Sequence, residues 1–254
     1  ARLDQIFSEK DTFAGVYTVD DSQANTPTTN PLSLVDVFLR EQVASLSETH
    51  IFSTSLINKA TFGFSRGGFY FTGTTPVNLP GWIHEGQPIG AVVVGGGTSL
   101  NGAAQISNAG TNAGSNLRAV RNLFTVTDQI TLTHGIHLLS FGVWFERLQS
   151  NDSLVQDQYG QASFSTLQDF LNGNIKTFTF APQATPLSWR SLEGAFFAED
   201  AIKLRPSLEL RLGFRGEFTT GWNEAYGRGA NYTFDPTTNF ILTRMSQQGL
   251  DFKT

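Results

Sequence analysis

Four stretches of this chain carry residues whose types and spacing could do chemistry. Gly63-Phe64-Ser65-Arg66-Gly67 matches G-x-S-x-G, in which a serine attacks an acyl carbon from a strained turn between a strand and a helix. The residues that follow here, Gly68-Phe69-Tyr70-Phe71-Thr72, form an aromatic, strand-like run, so a strand is expected instead of the helix. Val92-Val93-Val94-Gly95-Gly96-Gly97 is similar to a dinucleotide turn, but Leu100 stands where its third glycine belongs. The Asn/Gly/Ser-rich residues 100–114 offer no helix whose N-terminus could hold pyrophosphate, and a flexible surface loop is expected. His134-Gly135-Ile136-His137 sets two imidazoles across a tight turn with no third ligand nearby in sequence, which reads as a polar hairpin turn. His50 and His84 have no partner assignable from sequence. The carboxylate pairs Glu199-Asp200 and Glu209 with Glu217 lack the fixed separation across a sugar that glycoside hydrolysis requires. The absence of Cys excludes disulfides, thiolate metal sites and Cys nucleophiles. No enzyme activity, metal or cofactor is expected.

The elements that carry these residues have a plainer signature. From Leu208 to Phe218 the even positions read Leu, Leu, Leu, Phe, Gly, Phe and the odd positions Glu, Arg, Gly, Arg, Glu. Side chains alternate across a strand, so one face is apolar and the other charged. A strand between lipid and a wet lumen needs this pattern over about 9–11 residues. On that reading the charges Glu146, Glu193, Glu209, Arg211, Arg215 and Glu217 face the lumen and form cross-strand ion pairs. Phe124, Val126, Leu139, Phe141, Val143, Leu208, Leu210, Leu212 and Phe214 face lipid.

Composition agrees. Charged residues are 15% of the 254, against about 25% in soluble domains, and Phe occurs 22 times. The net charge of −5, with no block of Lys/Arg, excludes a nucleic-acid footprint. No apolar run reaches the roughly 18 residues of a transmembrane helix, which says nothing about barrel strands.

The expected fold is all-β: an antiparallel transmembrane barrel segment of about eight meandering strands. Its four hairpins pair residues 1–7 with 13–20, 40–52 with 59–71, 118–132 with 136–148, and 189–204 with 208–218. Their turns fall at Glu9-Lys10-Asp11, around 53–58, at Thr133-His134-Gly135 and at Arg205-Pro206. Residues 21–30, 73–116 and 149–187 are expected as loops and 219–254 as a polar, aromatic tail. Ser165 is expected to cap a short helix with the stripe Leu167, Phe170, Leu171, ended by Gly173. Apolar parity is even before Arg66-Gly67-Gly68 (Phe62, Phe64) and odd after it (Phe69, Phe71), which predicts a β-bulge there. Short turns on one side and long loops on the other match outer-membrane barrels.

Two stretches carry a specific likeness: Ser191-Leu192-Glu193-Gly194-Ala195-Phe196-Phe197-Ala198-Glu199-Asp200 and Leu204-Arg205-Pro206-Ser207-Leu208-Glu209-Leu210-Arg211-Leu212-Gly213-Phe214-Arg215. Together they resemble a hairpin of TonB-dependent outer-membrane receptors, above all the Oar-like group common in acidobacteria. Leu167-Gln168-Asp169-Phe170-Leu171-Asn172-Gly173 and residues 52–66 resemble that group more weakly. The resemblance implies a barrel of about 22 strands around a plug domain, energised by TonB, in the outer membrane of a Gram-negative cell. It implies uptake of a scarce nutrient such as a siderophore, cobalamin, a glycan or a peptide, or an Oar-like role in secretion. The expected partners are outer-membrane lipid, TonB acting through a plug domain, and a small-molecule or peptide ligand. The chain begins as if inside a strand and shows no plug or TonB box, so it is expected to be a middle portion, about a third, of such a barrel. The alternatives are a complete eight-stranded barrel serving as an anchor or adhesin, and a secreted carbohydrate-binding β-sandwich.

Overall fold

The computed structural model describes residues 1–27, 34–74, 90–95, 106–109, 116–155, 157–181, 184–235, 237 and 240–245. Eight antiparallel strands meander through one sheet: β1 (Arg2–Ile6), β2 (Asp11–Pro27), β3 (Leu34–Ser53), β4 (Leu56–Thr74), β7 (Asn116–His134), β8 (His137–Val155), β11 (Leu187–Arg205) and β12 (Leu208–Thr219). A second sheet orders β10 (Thr177–Thr179), β9 (Gln161–Phe164), β5 (Ala91–Val94) and β6 (Ile106–Ala109). The helix α1 (Leu167–Asn172) follows β9. Past β12, β13 (Asn223–Glu224) pairs with β11, and β14 (Ala230–Asp235) pairs with β15 (Phe240–Met245). Among the described residues β1 and β12 end the main path and do not pair with each other. No helix of the described residues is long and apolar enough to cross a membrane.

The hairpins turn tightly at one end. His134 pairs with His137 across Gly135-Ile136, with Gly135 at φ +62°. Glycine at the first central position suits a two-residue hairpin because that φ costs it nothing. Arg205 pairs with Leu208 across Pro206-Ser207, and β3 passes to β4 through Thr54-Ser55. Asp11 opens β2 instead of belonging to the first turn, and its carbonyl accepts from the Phe7 and Ser8 N–H groups. At the other end β2 and β3 are joined by residues 28–33, but β4 and β7 are joined by 75–115 and β8 and β11 by 156–186, so the expected asymmetry holds for these two connections.

The strands are longer than the alternation alone predicts. β3 has 20 residues and β4, β7, β8 and β11 have 19 each, about twice the crossing length. Residues 21–27 extend β2 and 149–155 extend β8, where loops were expected. Their polar side chains do not stop a strand whose backbone ladder continues: residues 21–27 pair with β3 and 149–155 with β7, and the β2–β3 register runs unbroken from Asp11↔His50 to Pro27↔Leu34. The expected bulge at Arg66-Gly67-Gly68 is absent. Gln42↔Arg66, Glu41↔Gly67 and Arg40↔Gly68 pair in sequence, and β7 matches on the other side. The register shifts lie beside the turns instead, between Ile51 and Ser53 and between Lys203 and Arg205.

Valine-rich β5 is a buried strand and not the expected surface loop. Ala91, Val93 and Val94 have no exposed surface and Val92 is 3% exposed. The strand lies parallel to β9 and antiparallel to β6, the setting in which a continuous apolar run is covered on both faces. Val92, Val94, Ala162 and Phe164 form its core, and Phe170 of α1 packs edge-on to Phe164 at 5.2 Å. Thr166, not Ser165, caps α1: its Oγ1 accepts from Asp169 N at 3.0 Å. Gly173 ends the helix in the left-handed region as expected. His84, Leu100, most of the expected loop 73–116 and residues 246–254 lie outside the described residues.

Gly142 is set by a close approach. A Cβ at Gly142 would meet the Phe197 ring on the paired strand at 2.3 Å, whereas at Gly63 the nearest atom would be Thr125 Cβ at 3.6 Å. Gly142→Val is therefore expected to cost about 1–3 kcal/mol through overpacking, and Gly63→Val distinctly less. Urea midpoints of the protein folded in detergent will show whether the two differ.

Candidate functional site

Pairing register and the period of two assign every side chain of the main sheet to one of two faces. One face carries Phe62, Phe64, Val126, Phe124, Leu139, Phe141, Val143, Phe145, Leu208, Leu210, Leu212 and Phe214. Many of these are exposed, Leu212 at 57% and Phe214 at 64%. Exposed apolar area of this extent on adjacent strands is not left in water. The opposite face at the same level carries Ser45, Gly63, Thr125, Glu146 and Glu193 in one paired row. All nine residues expected to face lipid share the first face.

The six expected charged residues all share the second face, and there the structure refines the pairing. Arg211 Nε donates to Glu209 Oε1 at 2.6 Å and Arg215 Nε to Glu217 Oε1 at 2.5 Å. Both pairs run along β12, two residues apart, and not across strands. Only Arg211 Nη1 reaches across, to Glu199 Oε1 at 3.8 Å. Glu146 and Glu193 sit directly opposite each other.

The polarity of the two faces exchanges part-way up the strands. On the apolar face, Phe64 is followed by Arg66, Phe124 by Asn122, Phe145 by Arg147 and Leu192 by Arg190. Gln42, Arg66, Asn122, Gln149 and Arg190 stand in one paired row across five strands. Arg66 Nη1 donates to Asn122 Oδ1 at 3.0 Å and Arg190 Nη2 to Asn151 Oδ1 at 3.0 Å. Above that row the apolar residues Leu39, Phe69, Phe71 and Leu117 lie on the other face. Thus the parity change in β4 is a change of surroundings along a regular strand. The strand leaves the hydrocarbon near Arg66 and continues into water.

Polar groups also interrupt the apolar face near the tight turns. His50 Nδ1 bonds Asp11 Oδ1, Asn58 Nδ2 donates to Asp128 Oδ1 at 2.5 Å, and His137 Nδ1 meets Asp200 Oδ2 at 2.7 Å. Sequence left His50 without a partner because Asp11 is 39 residues away. Asp11, Glu48 and His50 have ligand atoms within 4.8 Å of one another. His134 and His137 pair across their turn, and His137 is committed to Asp200. Ser65 lies in mid-strand, paired with Val43 and Leu123, with neither turn nor helix after it, so it has no nucleophile-elbow geometry.

One carboxylate near the long-loop end escaped sequence analysis. Glu224 in β13 is buried, its side chain 1% exposed. Its Oε1 accepts from Ser188 N at 2.8 Å, and its Oε2 from Tyr226 N at 2.9 Å and Arg228 N at 2.7 Å. Arg228 Nη2 adds a contact at 3.3 Å. Burial pushes this carboxyl up, but the three N–H groups and the guanidinium outweigh burial and hold it below the ordinary value. The turn after β13 presents the Tyr226 and Arg228 N–H groups and pairing with β11 adds that of Ser188, 36 residues away, so no local motif announces the cage.

The outer membrane beta barrel domain family matches residues 1–252. The chain belongs to this family. Its location is accordingly the outer membrane, and its antiparallel sheet is barrel wall. No curated protein and no solved structure matches the chain.

Proposed function

We propose that this outer-membrane barrel domain is part of the wall of a TonB-dependent receptor of the Oar-like type, working in uptake of a scarce nutrient or in secretion. The observation that carries the reading is the two-faced hairpin β11–β12. Its residues 191–215 have the receptor-like sequence, with hydrocarbon on one face and the paired charges Glu209, Arg211, Arg215 and Glu217 on the other. A large barrel needs such a polar, ion-paired inner wall around its plug or its passage. In this reading Glu146 and Glu193 also face the lumen, and the long connections face outward, where they meet the ligand. The outer edges of β1 and β12, unpaired among the described residues, favour a wall continued by further strands over an eight-stranded anchor, since lipid does not tolerate an open edge.

The test is uptake by cells that make the full-length protein, measured against a deletion strain with a panel of labelled ferric siderophores, cobalamin, oligosaccharides and peptides. One class of ligand is expected to accumulate only with the protein present, and accumulation is expected to stop with a protonophore or without TonB. Accumulation that ignores both would overturn the receptor reading.

A further inference from the structure

Five arginines emerge on the lipid-side face where its apolar band ends at the long-loop side: Arg40, Arg66, Arg118, Arg147 and Arg190. Strand parity puts all five on the same face, on β3, β4, β7, β8 and β11. Resting on the reading that the long connections face outward, we propose that they form a belt that binds the phosphate groups of anionic lipids in the outer leaflet of the membrane.

The surroundings of each guanidinium support a phosphate partner. Arg40, Arg66, Arg118 and Arg147 are exposed and Arg190 is half-buried. Among the described residues only Arg40 has an acidic partner, Asp21 at 3.4 Å. Three of the others lean on neutral groups: Arg66 on Asn122, Arg190 on Asn151 and the Trp189 carbonyl, and Arg118 on the Tyr70 ring, 5.1 Å from its centroid. These contacts orient a guanidinium without cancelling its charge. Of the acids nearby, Asp36 accepts from Asn25, Glu224 sits in its own cage, and Asp152, which lines the larger cleft, belongs to the opposite face and accepts from Ser150 Oγ. Arg66 also lies between two clefts. One, of about 460 Å³, is shared with Arg118, Asn151 and Ser188, and the other, of about 350 Å³, with Arg40 and Tyr70.

Position selects lipid over a soluble anion. The same-face neighbours of Arg66, Arg147 and Arg190 on the tight-turn side are Phe64, Phe145 and Leu192, so these three charges begin where hydrocarbon contact stops, and Arg40 and Arg118 stand two and four residues beyond the Gln42–Asn122 row. That is the level of the headgroups, where arginine meets phosphate in its bidentate geometry and a surface potential draws cations. Arg121 supplies a contrast. It is on β7 as well, but on the opposite face, bonded to Ser150 Oγ at 3.3 Å.

The experiment titrates the full-length protein, purified in neutral detergent, with bis-phosphorylated lipid A and reads bound lipid by native mass spectrometry. R66Q/R118Q/R147Q is expected to weaken binding at least about tenfold, and the charge-matched opposite-face variant R121Q/R211Q/R215Q to leave it unchanged. Dephosphorylated lipid A is expected to bind the native protein as weakly as the phosphorylated lipid binds the belt variant. Millimolar inorganic phosphate is expected not to displace the lipid. Heat-modifiable mobility on gels confirms that each variant is folded. Equal affinity for the belt variant, or for the dephosphorylated lipid, would overturn the proposal. Displacement by inorganic phosphate would overturn it too, by assigning the belt to soluble anions.

Discussion

Leu210→Arg is expected to lower folding stability by about 2–4 kcal/mol, while Arg211→Leu on the next residue costs much less. Leu210 is 43% exposed on the apolar face and pairs with Ile202. An arginine there must carry its guanidinium through hydrocarbon or bend the bilayer toward it. Arg211 points to the other face, where its partners Glu209 and Glu199 are themselves 46% and 47% exposed. Losing Arg211 leaves two carboxylates that water still solvates, and exposed pairs contribute at most about 1 kcal/mol. Folding titrations of both variants into lipid vesicles give the comparison. Equal losses at the two positions would contradict the assignment of lipid and lumen faces.

Glu224→Ala is expected to release the segment after β12 from the top of β11. The carboxylate accepts from the backbones of Ser188, Tyr226 and Arg228, and its removal strands those N–H groups with the Arg228 guanidinium. Breaking a buried charged network from one side costs about 3–5 kcal/mol. The loss is local, because β13 pairs only at Trp189↔Glu224 and Arg190↔Asn223. Hydrogen exchange followed by mass spectrometry is expected to show lost protection in residues 220–229 and at Ser188, with the rest of the sheet unchanged. Acid should do the same to the native protein. The Glu224 carboxyl titrates lower in the folded than in the unfolded chain. Its contribution is therefore complete above the unfolded value of about 4.3 and is lost as pH falls through the folded one. Glu224→Gln should abolish that acid dependence. Unchanged protection in Glu224→Ala would show that the cage does not hold β13.

What the sequence determined by itself is whatever repeats locally. The period of two in Leu208–Phe218 separated the two faces of β12, and the same alternation put Leu139, Phe141, Val143 and Phe145 on one face of the sheet and the six charges on the other. Gly135 and Pro206 marked two of the turns, and Gly173 the end of the helix, because each acts through its own backbone. Tertiary structure decided what depends on partners far along the chain. The parity change at Arg66-Gly67-Gly68 has two readings from sequence, a bulge or a change of surroundings. Only the unbroken pairing with β3 and β7 chooses the second. The polar ends of β2 and β8 look like loops until their backbones are paired with β3 and β7. Val92-Val93-Val94 resembles the start of a binding loop until β9, some 70 residues on, covers it. The Glu224 cage and the arginine belt have no sequence signature. Their members are brought together by register between strands, and register is the one property of a sheet that a single strand does not carry.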